Sequence, residues 1–138
     1  MGRILSIDYG SKRIGFAVSD PMKIIATALE TVHSSKAIDF IKQYIQNEEV
    51  ERFVVGEPKN LDNTPSESAV LVSAFIKKLE QAFPNIPIDK YDERFTSKIA
   101  VQTMVQGGYK KKDRRNKENL DKISATLILQ SYIEYKNL

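Results

Sequence analysis

The stretch Arg3-Ile4-Leu5-Ser6-Ile7-Asp8-Tyr9-Gly10-Ser11-Lys12-Arg13-Ile14-Gly15-Phe16-Ala17-Val18-Ser19 decides the architecture. It holds two short β-branched and apolar runs, and Gly10-Ser11-Lys12-Arg13 between them has the composition of a tight turn. A strand is expected from Arg3 to Tyr9 and a second from Ile14 to Ser19, with Asp8 at the end of the first. A dinucleotide-binding unit would follow its first strand with a glycine-rich helix start. Here another strand follows Asp8-Tyr9-Gly10, and the Rossmann reading weakens. Asp20-Pro21-Met22-Lys23 supplies a second turn before a third strand over about Ile24 to Thr31, so the first third of the chain reads as an antiparallel meander.

Beyond the meander the apolar period changes. Ala37, Phe40, Ile41, Tyr44 and Ile45 form a helical stripe behind Ser34 or Ser35 as cap, and His33 at this junction reads as a surface or capping residue. Arg52-Phe53-Val54-Val55-Gly56 reads as a buried strand that Pro58 stops from continuing. Thr64-Pro65-Ser66-Glu67 then has the form of a capped helix start, with Leu71, Phe75, Leu79 and Phe83 as the expected buried face. Ile88-Asp89-Lys90-Tyr91 is a further strand leading into Asp92-Glu93-Arg94. Thr96 or Ser97 caps a helix carrying Ala100, Val101, Met104 and Val105, which Gly107-Gly108 ends. The last helix is expected from about Asp121 to Tyr135, with Asp121, Ala125, Ile128 and Tyr132 on one stripe. Three antiparallel strands followed by alternating helices and two parallel strands give an α/β chain. The expected form is an RNase H-like fold, a five-stranded mixed sheet flanked by helices, in a single domain over 1–138.

Bulk properties narrow the chemistry. The chain has 138 residues, no Cys and one His, which removes thiolate and imidazole metal clusters and leaves oxygen ligands and hard cations such as Mg2+ or Mn2+. Ser6, Ser19 and Ser124 lack a partner His, which counts against a serine hydrolase. Apolar runs are far shorter than a membrane span and no secretory pattern precedes Arg3, so the expected location is the cytoplasm, away from membranes. The net charge is +3, yet its distribution is uneven. Between Gly107 and Asn119, six bases (Lys110, Lys111, Lys112, Arg114, Arg115, Lys117) stand against Asp113 and Glu118, leaving +4 there and −1 elsewhere. The expectation is a mobile basic loop over 107–119 that contacts a phosphate backbone, the alternative being a plain solvated linker.

Three acids mark strand or helix ends: Asp8 closing the first strand, Glu93 leaving the last, and Asp121 opening the final helix. Alone, each is as good a turn or cap residue as a ligand. Gathered together, they would repel unless a cation sat among them, and such a cation suits phosphodiester chemistry. Asp92 and Glu93 point to opposite faces of an extended strand. Glu93 is taken as the ligand because its longer side chain reaches around a strand end, with Asp92 left as a cap or a partner of Arg94. Lys12, Arg13, Lys59, Asn60 and Arg94 surround the same expected edge and could hold phosphate oxygens.

The ordered set Ile7-Asp8-Tyr9-Gly10 with Lys12 and Ile14-Gly15, Val54-Val55-Gly56-Glu57-Pro58 with Asn60-Leu61-Asp62, Asp92-Glu93-Arg94-Phe95-Thr96-Ser97, Gln106-Gly107-Gly108-Tyr109, and Asp121-Lys122-Ile123-Ser124-Ala125 resembles the YqgF family, also called RuvX-like. The resemblance spans nearly the whole chain. It implies an RNase H-fold nuclease with catalytic acids at Asp8, Glu93 and Asp121. The implied substrate is structured RNA, at the 5′ end of precursor 16S ribosomal RNA, and the alternative is Holliday junction resolution on branched DNA. A non-catalytic nucleic-acid-binding protein and an actin-like phosphate binder rank below both. Association with the ribosome, and a monomer or weak homodimer, complete the expected partners. Two positions depart from the family pattern: Asn63 where Gly is common, and Glu57 where an apolar residue is usual before Pro58, which leaves any fourth acid unassigned.

Overall fold

A computed structural model describes residues 2–10, 12–57, 67–92 and 117–136; the side chains at 57, 67–68 and 117–123 lie outside that description. Five strands form one sheet: β1 (Arg3–Asp8), β2 (Arg13–Ser19), β3 (Ala26–His33), β4 (Val50–Glu57) and β5 (Ile88–Asp92), in the order β3-β2-β1-β4-β5. The first three pair antiparallel, as the turn residues require, while β4 joins β1 and β5 joins β4 in parallel. Both parallel connections are crossovers, and α1 (Ala37–Asn47) and α2 (Glu67–Ala82) lie on them. The expected mixed sheet is therefore present.

β1 is central and buried on both faces, which explains why it reads as a nearly unbroken apolar run instead of an alternating one. Leu5 and Ile7 point to one side, where they meet Phe16 and Val18 of β2, Phe53 and Val55 of β4, Ala37 and Ile41 of α1, and Val72, Phe75, Ile76 and Leu79 of α2. Ile4 points to the other, with Ala17 and Val54, against Ala125, Ile128, Leu129, Tyr132 and Ile133 of α3 (Lys117–Lys136). The sheet is thus covered by α1 and α2 on one face and α3 on the other.

Several expected boundaries move. β3 runs from Ala26 to His33, two residues later than the sequence pattern gave, because the Asp20 carboxylate holds the preceding turn open by accepting from the N–H groups of Met22, Ile24 and Ile25 at 3.1, 2.8 and 2.8 Å. These bonds, the Ile25 N–H foremost, hold the Asp20 carboxyl below its usual range. His33 caps a 3-10 turn over Ser34–Lys36 by accepting from the Ser35 N–H at 3.2 Å, and α1 follows it at Ala37. In α2, Leu71 is 46% exposed and Val72 takes its place in the core, since Val72, Phe75, Ile76 and Leu79 hold the closer 3-4 spacing. α3 begins at Lys117, so the last residues of the expected basic loop are helical, while 107–116 lie outside the described residues. The expected cap at Thr64 and Pro65 and the expected helix from Thr96 to Val105 also lie outside them.

Candidate active site

The carboxyl ends of β1, β4 and β5 share one edge of the sheet. Ile7 stands beside Val55, and Gly56 and Glu57 stand beside Tyr91 and Asp92. Asp8 closes β1 at this edge, half-buried. Strand alternation places Ile4, Ser6 and Asp8 on the α3 side of the sheet. Asp8 therefore faces the layer that carries Asp121.

The strands flanking Asp8 bring glycines alongside it. Its antiparallel partner on β2 is Gly15, and on β4 the residue after Val55, the neighbour of Ile7, is Gly56. Ala17 and Val54 point toward α3, so alternation puts Gly15 and Gly56 on that side as well. Cross-strand neighbours normally place Cβ atoms about 5 Å apart. Here neither flank contributes a side chain.

The turn after Asp8 is packed tightly. A Cβ at Gly10 would lie 2.4 Å from the Arg13 carbonyl oxygen, so only glycine fits there without moving backbone. At the far side of the turn, Ser34 N–H donates to the Lys12 carbonyl at 3.0 Å, and Arg13 pairs with His33. Lys12 itself is exposed and Arg13 half-buried, both on the edge that carries Asp8.

α3 is tied to the sheet by directional bonds. Fully buried Ser6 donates its hydroxyl to the Ala125 carbonyl at 2.8 Å. Gln130 accepts from the Ala26 N–H at 3.1 Å, joining the helix to β3. Tyr132 donates to the Asp89 carboxylate, which also takes Arg52 at 2.9 Å. Burial first, and then the Asp89 carboxylate, push the Tyr132 hydroxyl far above its ordinary value. The sequence offered one trace of this set: Ser6 is a lone polar residue inside the run Ile4 to Ile7.

Of the expected acids, Asp8 has a described side chain, Asp121 lies within α3 one turn before Ala125, and Glu93 follows the last described residue of β5. Asp89 bonds Tyr132 and Tyr91 packs edge-on against its ring, so both face α3, and Asp92 alternates to the opposite face. Among the described side chains, no three acids or histidines converge on one point. Lys59, Asn60, Arg94, Lys110, Lys111, Lys112, Arg114 and Arg115 lie outside the described residues.

An acid ending the central strand of a β3-β2-β1-β4-β5 sheet, with a helix packed across the acid's face, defines an α/β protein of the RNase H-like class. Solved structures agree on the fold. RuvC of Thermus thermophilus, solved with a Holliday junction substrate, matches with a TM-score of 0.62 at 17% identity, over 98% of this chain and 96% of its own. The fowlpox virus resolvase, solved with junction DNA, matches with a TM-score of 0.57 at 15% identity, over 97% and 98%. The chain belongs to the RuvX family, whose model, described as Holliday junction resolvase, matches residues 2–135. Among relatives, a proposed pre-16S rRNA nuclease of Christiangramia forsetii is 53% identical over 96% of this chain and 98% of its own. One from Bacteroides fragilis is 50% identical over the full length of both chains, 100% of each.

Proposed function

We propose that this protein is a metal-dependent nuclease that hydrolyses phosphodiester bonds in structured RNA, and that its substrate is the 5′ region of precursor 16S ribosomal RNA. The observation that carries the proposal is the setting of Asp8: an acid at the end of the central strand, flanked by Gly15 and Gly56, and facing the helix that contains Asp121. Relatives at about half identity over their full length, named as proposed pre-16S rRNA nucleases, support the choice of substrate.

In this reading Asp8, Glu93 and Asp121 hold Mg2+ or Mn2+. The donor set fits, being carboxylate oxygens in a chain without Cys. β5 lies two strands from β1, roughly 10 Å in backbone separation. Glu93 follows β5 in the chain, and its added methylene suits the more distant strand. When bound, a hard divalent cation supplies positive charge against the charge that builds on phosphate oxygens during hydrolysis. The chain's own part is to hold the acids at fixed spacing, to keep side chains off the strand positions at Gly15 and Gly56 beside Asp8, and to grip the backbone on either side of the scissile bond. Lys12, Arg13, Lys59, Asn60, Arg94 and the run Lys110, Lys111, Lys112, Arg114 and Arg115 serve that grip, with 1–138 acting as one nuclease domain. No described helix is long and apolar enough to cross a membrane. In this reading the protein acts on ribosomal precursors in the cytoplasm, as a monomer or weak homodimer.

The family's description favours one second reading, cleavage of four-way DNA junctions. Single-turnover cleavage of precursor 16S RNA and of a four-way junction, over a salt series, separates the two. The RNA is expected to be cut faster at every salt concentration, and faster cutting of the junction would reverse the assignment. Neutralising Lys110, Lys111, Lys112 and Arg114 should weaken half-saturation and flatten its salt dependence while the saturated rate survives. Equal behaviour of variant and wild type would make the run a solvated linker.

A further inference from the structure

We infer that Ser6 is a positioning residue: its hydroxyl sets where α3 sits along β1, and so fixes the spacing between Asp8 and Asp121. The inference rests on the reading of those two acids as ligands of one cation. Ser6 lies two residues before Asp8 on the same face of β1, and Ala125 lies one helical turn after Asp121 on α3. The bond between them joins positions 119 residues apart in the chain. Gln130 and Tyr132 also pin α3, but to β3 and β5, and more than two turns beyond Asp121. The Ser6–Ala125 bond is therefore nearer to both acids than either of those two.

Much of the packing around this bond is apolar. Ile4, Ala17 and Val54 against Ile128 and Leu129 bury area without direction, and such packing tolerates small slides of helix over sheet. A hydroxyl donating at 2.8 Å does not, because a buried donor that loses its acceptor keeps its full desolvation cost. For packing and strand preference alone, Val would serve better than Ser at a fully buried central-strand position. The carbonyl at 125 already accepts the helical N–H of residue 129, so the hydroxyl adds a second bond whose effect is on placement.

The test is Mn2+ binding without substrate, followed by the paramagnetic resonance signal of free Mn2+, in wild type, Ser6→Ala, Ser6→Thr and Asp8→Asn. Ser6→Ala should weaken binding by about tenfold, as loss of outer supports at metal sites does. Ser6→Thr, which keeps the hydroxyl, should stay within about threefold of wild type. A lower melting temperature alone would follow from any buried defect, so the affinity and its rescue by Thr are the deciding readouts. Equal affinity in Ser6→Ala and wild type, with binding lost in Asp8→Asn, overturns the inference and leaves the metal site standing. Absence of Mn2+ binding by wild type, or binding untouched by Asp8→Asn, overturns both. Should Ser6→Ala not fold, Ser6→Cys keeps the size and weakens the donor; an affinity between those of wild type and Asp8→Asn supports the inference, and one equal to wild type overturns it.

Discussion

The two faces of the sheet are built on different principles. Toward α1 and α2, β1 offers Leu5 and Ile7, and the layer is closed by Phe16, Phe53, Val55, Ile41, Phe75 and Leu79. Toward α3, the same strand offers Ile4, Ser6 and Asp8, and the buried layer includes the polar Ser6, Thr126, Gln130 and Ser131. The first face needs volume and shape. The second also needs partners in fixed directions: Ser6 to Ala125, Gln130 to Ala26, and Tyr132 to Asp89. Stability is thus expected to reside mostly in the apolar layer, and the placement of Asp8 against α3 in the polar one. A sheet can serve both ends because its side chains alternate.

The comparison breaks if damage to the apolar face is not the costliest. Phe53→Ala, at a fully buried position that packs edge-on against Phe83, should lower the unfolding free energy by about 3–5 kcal/mol in a denaturant titration, while the surviving folded fraction keeps its metal affinity. Next comes the turn at the acid. Gly10→Ala pushes a Cβ against the Arg13 carbonyl, and a cost of about 1–3 kcal/mol is expected together with slower cleavage, since the displaced backbone adjoins Asp8. Unchanged cleavage would detach this turn from the site.

A smaller effect sharpens the contrast through pH. Tyr132→Phe removes the bond to Asp89, whose remaining partner Arg52 is part-exposed, and should cost about 1 kcal/mol near neutrality. The Tyr132 hydroxyl is raised above its ordinary value of 10.0, so its contribution is complete below that pH and is lost as pH climbs above it. Thermal melts from pH 8 to 11 should therefore show wild type losing its advantage over Tyr132→Phe at the alkaline end; a constant gap would contradict the shift. At the bottom of the scale, Leu71→Ser should change stability by less than about 0.5 kcal/mol, because Leu71 is exposed and Val72 holds the core position.

Much of this contrast is legible in the sequence, though unevenly. Turn chemistry at Gly10 to Arg13 and Asp20 to Lys23 is local, so the meander follows from neighbouring residues. The α2 face was harder, since Leu71 and Val72 are both apolar and adjacent, and tertiary packing chooses between them. The onset of α3 at Lys117 had no strong local marker, because basic residues suit an exposed first turn as well as a loop. Asp8 stood out by its place at a strand end. The paired glycines at 15 and 56 could not be seen as its neighbours until the β1–β2 and β1–β4 registers were known. Likewise Ser6 and Tyr132 act over more than forty residues of chain, and nothing in a local window encodes a partner so distant.

The central claim, that Asp8, Glu93 and Asp121 hold one divalent site, is tested most directly by Mn2+ binding to Asp8→Asn, Glu93→Gln and Asp121→Asn, measured beside their thermal melts. Each substitution keeps shape and deletes one charge. The account predicts that all three lose affinity by about a hundredfold or more, beyond the usual effect of outer supports, with melting temperatures close to wild type. Wild-type affinity in any one of them, or a loss of fold that parallels the loss of binding, would contradict it.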